Sequence, residues 1–263
     1  VSAVKMKKAQ IKASMGLPYR NALTETISQL VSASGSLEHP YTKSNKLANK
    51  RLGIIISSNK GLCGVFNFNL FKFLFKEIKD FDAYDFVIIG AKAQQFLHHF
   101  GARVLADFSR ELPFDKNVSA IYSLALSQFL SKQVTGVDLF YNRFVTSMTF
   151  EPTKKILLPL TSKSFSVTAE EKKGHNQNYL IEPNSTRVLA ELFNFYIEGQ
   201  IRGAISESEA SEHSARMVAI KNATDNAKDL VYQLTLTRNA VRQSKITNEL
   251  LDMNTAKLAV SNA

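Results

Sequence analysis

Apolar positions along this chain follow two rhythms. Between residues 51 and 160 they come in short blocks. Gly53-Ile54-Ile55-Ile56 and Phe86-Val87-Ile88-Ile89 are β-branched runs typical of strands covered on both faces. Between the blocks the spacing turns helical: Leu70, Phe71, Leu74, Phe75 and Ile78 fall on one side of a helix over 66–79. The pattern predicts strands at Arg51–Ser57, Phe86–Ile89 and Arg103–Ala106, with helices at 66–79, Ala91–Phe100 and Val118–Gln133. Val137–Val145 and Met148–Pro159 alternate as two further strands, an antiparallel hairpin on the sheet edge. Strand–helix alternation of this kind argues for a largely parallel sheet with helices on its faces.

The chain ends have the other rhythm. Residues 1–34 read as a helix, with Gly16-Leu17-Pro18 as its candidate kink. Residues 35–50, SGSLEHPYTKSNKLAN, are turn-rich and read as a linker. Residues 161–178, with Glu170-Glu171-Lys172-Lys173-Gly174, read as a polar, mobile excursion. After Pro183 no proline occurs; Asn184 or Ser185 is the candidate cap of a final helix, which Gly199 and Gly203 weaken without forbidding. From Glu207 to Leu258 nothing breaks it, a run of about 78 Å at ~1.5 Å per residue. A compact domain of this size is only ~40 Å across, so this helix either projects or pairs with something equally long.

Its apolar positions favour pairing. Ile220, Ala227, Leu234 and Val241 recur every seven residues, with Ala223, Leu230 and Thr237 between them: a narrow heptad seam. The remaining helix of suitable length is 1–34. The expected architecture is α/β: an antiparallel coiled coil of N- and C-terminal helices with an inserted Rossmann-like α/β domain. Three parts follow: a first helix and linker over 1–50, the α/β domain over 51–183, and the C-terminal helix over 184–263.

Charge adds one distinction. The formal net charge is +10. Residues 1–51 hold Lys5, Lys7, Lys8, Lys12, Arg20, Lys43, Lys46, Lys50 and Arg51 against Glu25 and Glu38, whereas the last fifty-eight residues carry as many acids as bases. A basic first helix attracts acidic partners: nucleic acid, lipid or an acidic protein surface. A basic nucleic-acid-binding coiled coil is therefore one alternative, and its binding would fall steeply with salt. The balanced C-terminal helix speaks against it. The longest apolar runs are far too short to span a bilayer.

Little else suggests chemistry. SNKGLCGVFN follows the first strand, where a glycine turn can cradle phosphate, but neither GxGxxG nor GxxxxGK[ST] is present. A tight turn with close helix–strand packing explains its glycines. Cys63, the one cysteine, has no neighbouring His or Cys to activate it and is expected to be buried. His39, His98, His99, His175 and His213 are scattered, and none pairs with Cys or carboxylate at metal-ligand spacing. No catalytic constellation, cofactor or metal is expected. A nucleotide-dependent enzyme built on 51–160 is the weakest alternative.

The longer motifs carry a resemblance. VSAVKMKKAQ, ISSNKGLCGVFNFNL (56–70), YNRFVTSM (141–148), ILLPL (156–160), YLIEPNS (179–185), SEHSARMVAIKNATDNA (211–227) and LTLTRNAVRQSKITNEL (234–250) occur in the order and spacing of the gamma subunit of the F-type rotary ATP synthase, which the chain resembles over essentially its whole length. The resemblance implies a central stalk that couples ion flow through a membrane c-ring to ATP synthesis or hydrolysis by rotation. It implies an α/β domain that binds no nucleotide, no active site in the subunit itself, and a position peripheral to an energy-coupling membrane. The partners it implies are alpha and beta subunits, an epsilon (or delta) stalk subunit and the c-ring. Arg242 and Gln243 match the family's Arg-Gln pair that meets the beta subunits; Thr247 lies one turn on, on the same face, and matches a nearby contact; Arg216, also implied as an alpha/beta-subunit contact, matches the arginine of the lower shaft. Tyr179 and Glu182 match residues near the c-ring and epsilon. The chain departs from the family in three ways. A helical segment before VSAVKMKKAQ is absent, Lys257 stands in a tip that is small-residued in relatives, and Phe and Asn are abundant. A gamma-like shaft of a divergent rotary ATPase is the alternative these departures leave.

Overall fold

The structure, a computed structural model, describes residues 2–34, 39–43, 45, 48–110, 112–165 and 185–261. It divides between Met217 and Val218 into two compact units. The first holds a five-stranded sheet built from β1 (Arg51–Ile56), β2 (Tyr84–Ile89), β3 (Arg103–Asp107), β4 (Val137–Phe144) and β5 (Phe150–Leu158), in the order β3-β2-β1-β4-β5. The first four strands are parallel, and β5 pairs antiparallel with β4 as the edge. Pro152 lies in β5 opposite Asn142, the edge-strand setting in which a missing N–H is tolerated.

The two-residue period of the strands sorts the core into two layers. Leu52, Ile54, Ile56, Val87, Ile89, Leu139 and Tyr141 face one side, where α1 (Ser2–Ser34), α4 (Val118–Leu130) and the first part of α5 (Ser185–Ser261) cover them. Ile55, Phe86, Ile88 and Phe140 face the other, under α2 (Phe66–Glu77) and α3 (Ala91–His99). Gly53 belongs to this second face, and its missing side chain makes room for Phe86: a Cβ there would stand 2.9 Å from the ring.

One buried charge ties the sheet together across strands. Asp138, fully buried, accepts from Arg51 Nε at 2.7 Å and from the Tyr84 hydroxyl at 2.8 Å, with Lys154 Nζ at 3.6 Å. Burial, and then the Asp138 carboxylate, push the Tyr84 hydroxyl pKa up. A buried carboxylate is tolerated only when its oxygens are engaged in this way.

Several expectations change. Helix α1 runs unbroken through Pro18. The stretch read as a linker contains a short 3₁₀ turn, Pro40–Thr42, whose Tyr41 is buried and donates its hydroxyl to Asn194 Oδ1 at 2.9 Å. Asn194 Oδ1 also accepts from Tyr122 at 2.8 Å, so one α5 side chain binds both the turn and α4. The excursion expected at 161–178 begins with another 3₁₀ turn, Ser162–Phe165, in which Phe165 is buried; residues 166–184, with the candidate cap Asn184, lie outside the described residues, and α5 begins at the other candidate, Ser185. Gly199 and Gly203 sit inside α5 without interrupting it.

The main correction concerns the seam. Ile220, Leu230, Leu234 and Val241 are 45–63 % exposed, so among the described residues nothing covers them. Helix α1 lies instead, antiparallel, on an earlier part of α5. Arg20 Nη2 pairs with Glu207 Oε1 at 2.8 Å, and Arg20 passes over Gly203, where a Cβ would stand 1.7 Å from Nη1. The physical reason is that the buried apolar side chains α1 shares with α5, Leu23, Ile27 and Leu30 with Phe193, Ile197 and Ile201, belong to the sheet-covering core, and the Arg20–Glu207 pair crosses at Gly203 beside them.

The second unit is the helical stretch from Val218 onward. Every side chain described there is exposed except those of Val218 and Ala219, which are half-buried.

Candidate coupling surface and the switch-point crevice

In a doubly wound sheet, ligands bind outside the carboxyl ends of the strands where the winding reverses. Here that point is between β1 and β4, which are adjacent and parallel while their connections leave in opposite directions. The glycine-containing loop expected to be a tight turn closes the β1 side. Ser58 Oγ donates to the Lys60 carbonyl at 2.8 Å, Asn67 Nδ2 donates to Ser58 Oγ at 2.7 Å, and Asn59 Nδ2 donates to the Ser109 carbonyl at 2.7 Å. Leu62 and Gly64 adopt left-handed backbone, with φ of 59° and 55°. Cys63 is buried beneath the loop, as expected, with Asn67 Nδ2 3.3 Å from its sulfur.

The chain's own α5 fills the crevice. Ser211 Oγ lies 3.2 Å from the Asn142 carbonyl of β4. Ser214 Oγ donates to the carbonyl of Ser147, in the turn after β4. Arg216 reaches the other wall: Nη2 is 3.3 Å from each of the Lys60 and Gly61 carbonyls, and Nη1 pairs with Glu212 at 2.8 Å. Ser211 and Ser214 are buried at this contact, and Ser208, one turn before Ser211, is buried as well. Carbonyl groups on both walls of the crevice are met by side chains of the same molecule.

Burial sets the protonation behaviour of this stretch. It raises the carboxyl pKa of Glu212, against the opposing pull of Arg216, and that of Glu209, against Lys12. The imidazole of His213 is lowered by burial, then by Arg216 and Lys5. Farther down the α1–α5 contact, Lys155 donates to Gln200 Oε1 at 2.6 Å; burial and then Arg20 lower its ammonium pKa. Among the described residues no group of three or more His, Cys, Asp and Glu is placed to hold a metal, and no helix is long and apolar enough to cross a membrane.

The structure separates the sequence-predicted site residues. Arg242, Gln243 and Thr247 are exposed on α5 in the second unit. Gln243 and Thr247 share a face, and the Thr247 hydroxyl donates to the Gln243 carbonyl at 2.9 Å. Acids are sparse around them. Lys245 approaches Glu249 at 3.9 Å, while among the described residues Arg238 and Arg242 have no carboxylate partner. Arg216 belongs to the first unit, its side chain only 15 % exposed and its guanidinium already engaged. Tyr179 and Glu182 lie outside the described residues. Sequence reasoning missed the serines at 208, 211 and 214; small polar residues at helical spacing were their only signal.

Comparison with known proteins gives the relations of the chain. The family described as ATP synthase matches residues 1–260. The ATP synthase gamma chain of Psychrobacter arcticus is 37 % identical over 272 residues, covering 99 % of this chain and 91 % of the relative. That of Cupriavidus pinatubonensis is 34 % identical over 267 residues with the same coverage. Among solved structures, a chain of the Euglena gracilis mitochondrial ATP synthase (OSCP/F1/c-ring, rotational state 3) superposes with a TM-score of 0.61 at 18 % identity, covering 98 % of this chain and 93 % of that one. A chain of the Tetrahymena thermophila mitochondrial ATP synthase central stalk and c-ring gives 0.57 at 19 %, covering 85 % and 99 %.

Proposed function

The chain belongs to the ATP synthase gamma chain family, and on that premise we propose that it works as a rotor shaft, turning within alpha and beta subunits while its lower end joins an epsilon-type stalk subunit and the c-ring. It then links ion flow through the membrane to ATP synthesis or hydrolysis at the beta subunits. The observation that carries this reading is the contrast along α5: buried on the sheet up to Met217, then exposed on all sides with an unmet apolar seam. A helix that must engage several surfaces in turn, and release each, needs modest polar contacts; a large apolar patch would hold it fast.

We assign contact with the alpha and beta subunits to Arg242, Gln243 and Thr247, with Arg238 and Lys245 adding positive charge on a stretch that has no acid from 230 to 248. The partner surface opposite them is therefore acidic. The face carrying Arg216 belongs to the same shaft, although its guanidinium is spent within the chain. Tyr179 and Glu182 are assigned to the epsilon and c-ring end on resemblance alone. The crevice filled by α5 supports a subunit without a nucleotide site of its own. The three-part division at about residues 50 and 183 is carried forward as shaft, α/β insert and shaft, and the protein is peripheral to an energy-coupling membrane.

Two measurements test this. The chain should copurify with alpha and beta subunits; recovery as a stable monomer from a cell containing both would overturn the reading. Arg242→Ala combined with Gln243→Ala should lower ATP synthesis while leaving the circular dichroism spectrum unchanged. Unaltered synthesis would remove the contact from these residues.

A further inference from the structure

The geometry points to Arg216 as a positioning residue: with Glu212 it clasps the Ser58–Gly64 loop onto α5 and so stops the helix from turning about its own axis against the sheet. The clasp itself stands on the structure; its part in transmitting torque rests on the rotor-shaft reading.

Contacts on opposite sides of one helix carry the argument. Ser214 and Arg216 are two residues apart, or ~200° around an α-helix. Ser214 is bonded to the turn that follows β4, Arg216 to the loop that follows β1. The two strand ends thus grip α5 from two sides, and rotation of the helix in either sense pulls one contact apart. Ser211, bonded to β4 itself, adds a point on the Ser214 side.

Arginine suits this position better than lysine. One nitrogen of its planar fork meets the Glu212 carboxylate while the other reaches two carbonyls, and a single ammonium does not span that arrangement. Both partners of the ion pair are withdrawn from solvent, at 15 % and 14 % exposure, so screening weakens it less than it would a surface pair. The loop needs holding. Leu62 is in the left-handed region, which costs a non-glycine residue roughly 1–3 kcal/mol unless the surroundings impose it, and its side chain is 85 % exposed and contributes little packing.

The chain carries its own reporter. Cys63 is the only cysteine, is 3 % exposed and lies under the loop, and trypsin releases it in peptide 61–72. In the assembled complex, alkylation by N-ethylmaleimide followed by mass spectrometry of that peptide reads loop opening directly. Arg216→Ala should raise the alkylation rate by about tenfold, as expected for losing hydrogen bonds to a charged group; Arg216→Lys should fall between it and the wild type. The ratio of ion movement to ATP hydrolysis should drop in the same order. An unchanged Cys63 rate in Arg216→Ala overturns the clasp, and faster alkylation with an unchanged coupling ratio overturns the positioning role. If Arg216→Ala fails to assemble, Glu212→Gln keeps the shape and withdraws the carboxylate charge, and wild-type values for both readouts there count equally against the proposal. A wild-type complex that does not couple at all would refute the rotor reading and leave the cysteine measurement standing.

Discussion

Two stretches of the same helix obey different rules. From Leu189 to Ser214, α5 buries Phe193, Tyr196, Ile197, Ile201, Ala204 and Ile205, and its polar side chains bond to β4, β5, α1 and α4. From Val218 onward it buries nothing within the chain. There its threonines turn back on the helix: Thr224, Thr235, Thr237 and Thr247 each donate to the carbonyl four residues earlier. The exposed ion pairs Lys228–Asp225 and Lys245–Glu249, at 3.8 and 3.9 Å, contribute at most a few tenths of a kcal/mol. Helices gain most of their stability from tertiary packing. The first stretch has that support within the chain, and the second, among the described residues, does not.

The largest expected effect breaks the comparison most directly. Ile201→Ala removes a fully buried side chain and should cost about 2–5 kcal/mol in urea unfolding of the chain. Leu234→Ala removes an equally large side chain that is 59 % exposed, and should stay within about 0.5 kcal/mol. In the assembled complex the second substitution should matter, lowering retention of alpha and beta subunits. Equal costs in the isolated chain would mean that the second stretch has an internal partner.

That contrast was half legible in the sequence. The strands were readable because parallel strands covered on both faces need continuous apolar runs, and Ile54–Ile56 and Val87–Ile89 supply them. The heptad from Ile220 to Val241 was readable as a face that needs covering. Periodicity does not say what covers it: residues 1–34 do pair antiparallel with the C-terminal helix, but along its earlier part and not at this heptad. The contact between α1 and α5 joins Leu23, Ile27 and Leu30 to the apolar core of α5 and adds Arg20, Gly203 and Glu207, residue types that read as solvent-facing until geometry brings them together. Tyr41 was hidden for a related reason: a turn-rich neighbourhood masks one buried aromatic. Arg216 was assigned to the shaft by motif, and nothing in its spacing pointed to the loop at 60–61, some 155 residues away. For Tyr179 and Glu182 the motif remains the only guide.

An intermediate effect sharpens the role of glycine in the α1–α5 contact. Gly203→Ala gains helix propensity but drives a Cβ into the Arg20 guanidinium and should cost about 1–3 kcal/mol net. Gly16→Ala, on α1, places its Cβ where no atom lies within 4 Å and should stabilise by roughly 0.5–1 kcal/mol. Opposite signs for one substitution, read as shifts of the urea midpoint, distinguish a glycine required by a crossing side chain from one that is not. If both stabilise, Arg20 moves aside freely and does not set the α1–α5 register.

The smallest effect lies at the end of the first unit and depends on pH. His213 has its pKa held below the usual 6.5 by burial and by the Arg216 and Lys5 cations, so the unfolded chain takes up that proton first. The stability it contributes is therefore complete above pH 6.5 and is lost as the pH falls from there toward the folded-state value. Glu212, one residue away, has its carboxyl held above 4.5 by burial; the unfolded chain releases that proton first, and stability falls as the pH rises from 4.5 through the folded-state value. The two slopes oppose each other between these limits. His213→Gln should remove the loss on the acid side of 6.5 and leave the Glu212 slope, so that the variant gains on the wild type in urea unfolding as the pH is lowered. Glu212→Gln should do the reverse, and in addition loosen Arg216. A wild-type profile in His213→Gln would mean that His213 protonates in the folded chain as freely as in the unfolded one, and that the grip on α5 just before Met217 is open to water.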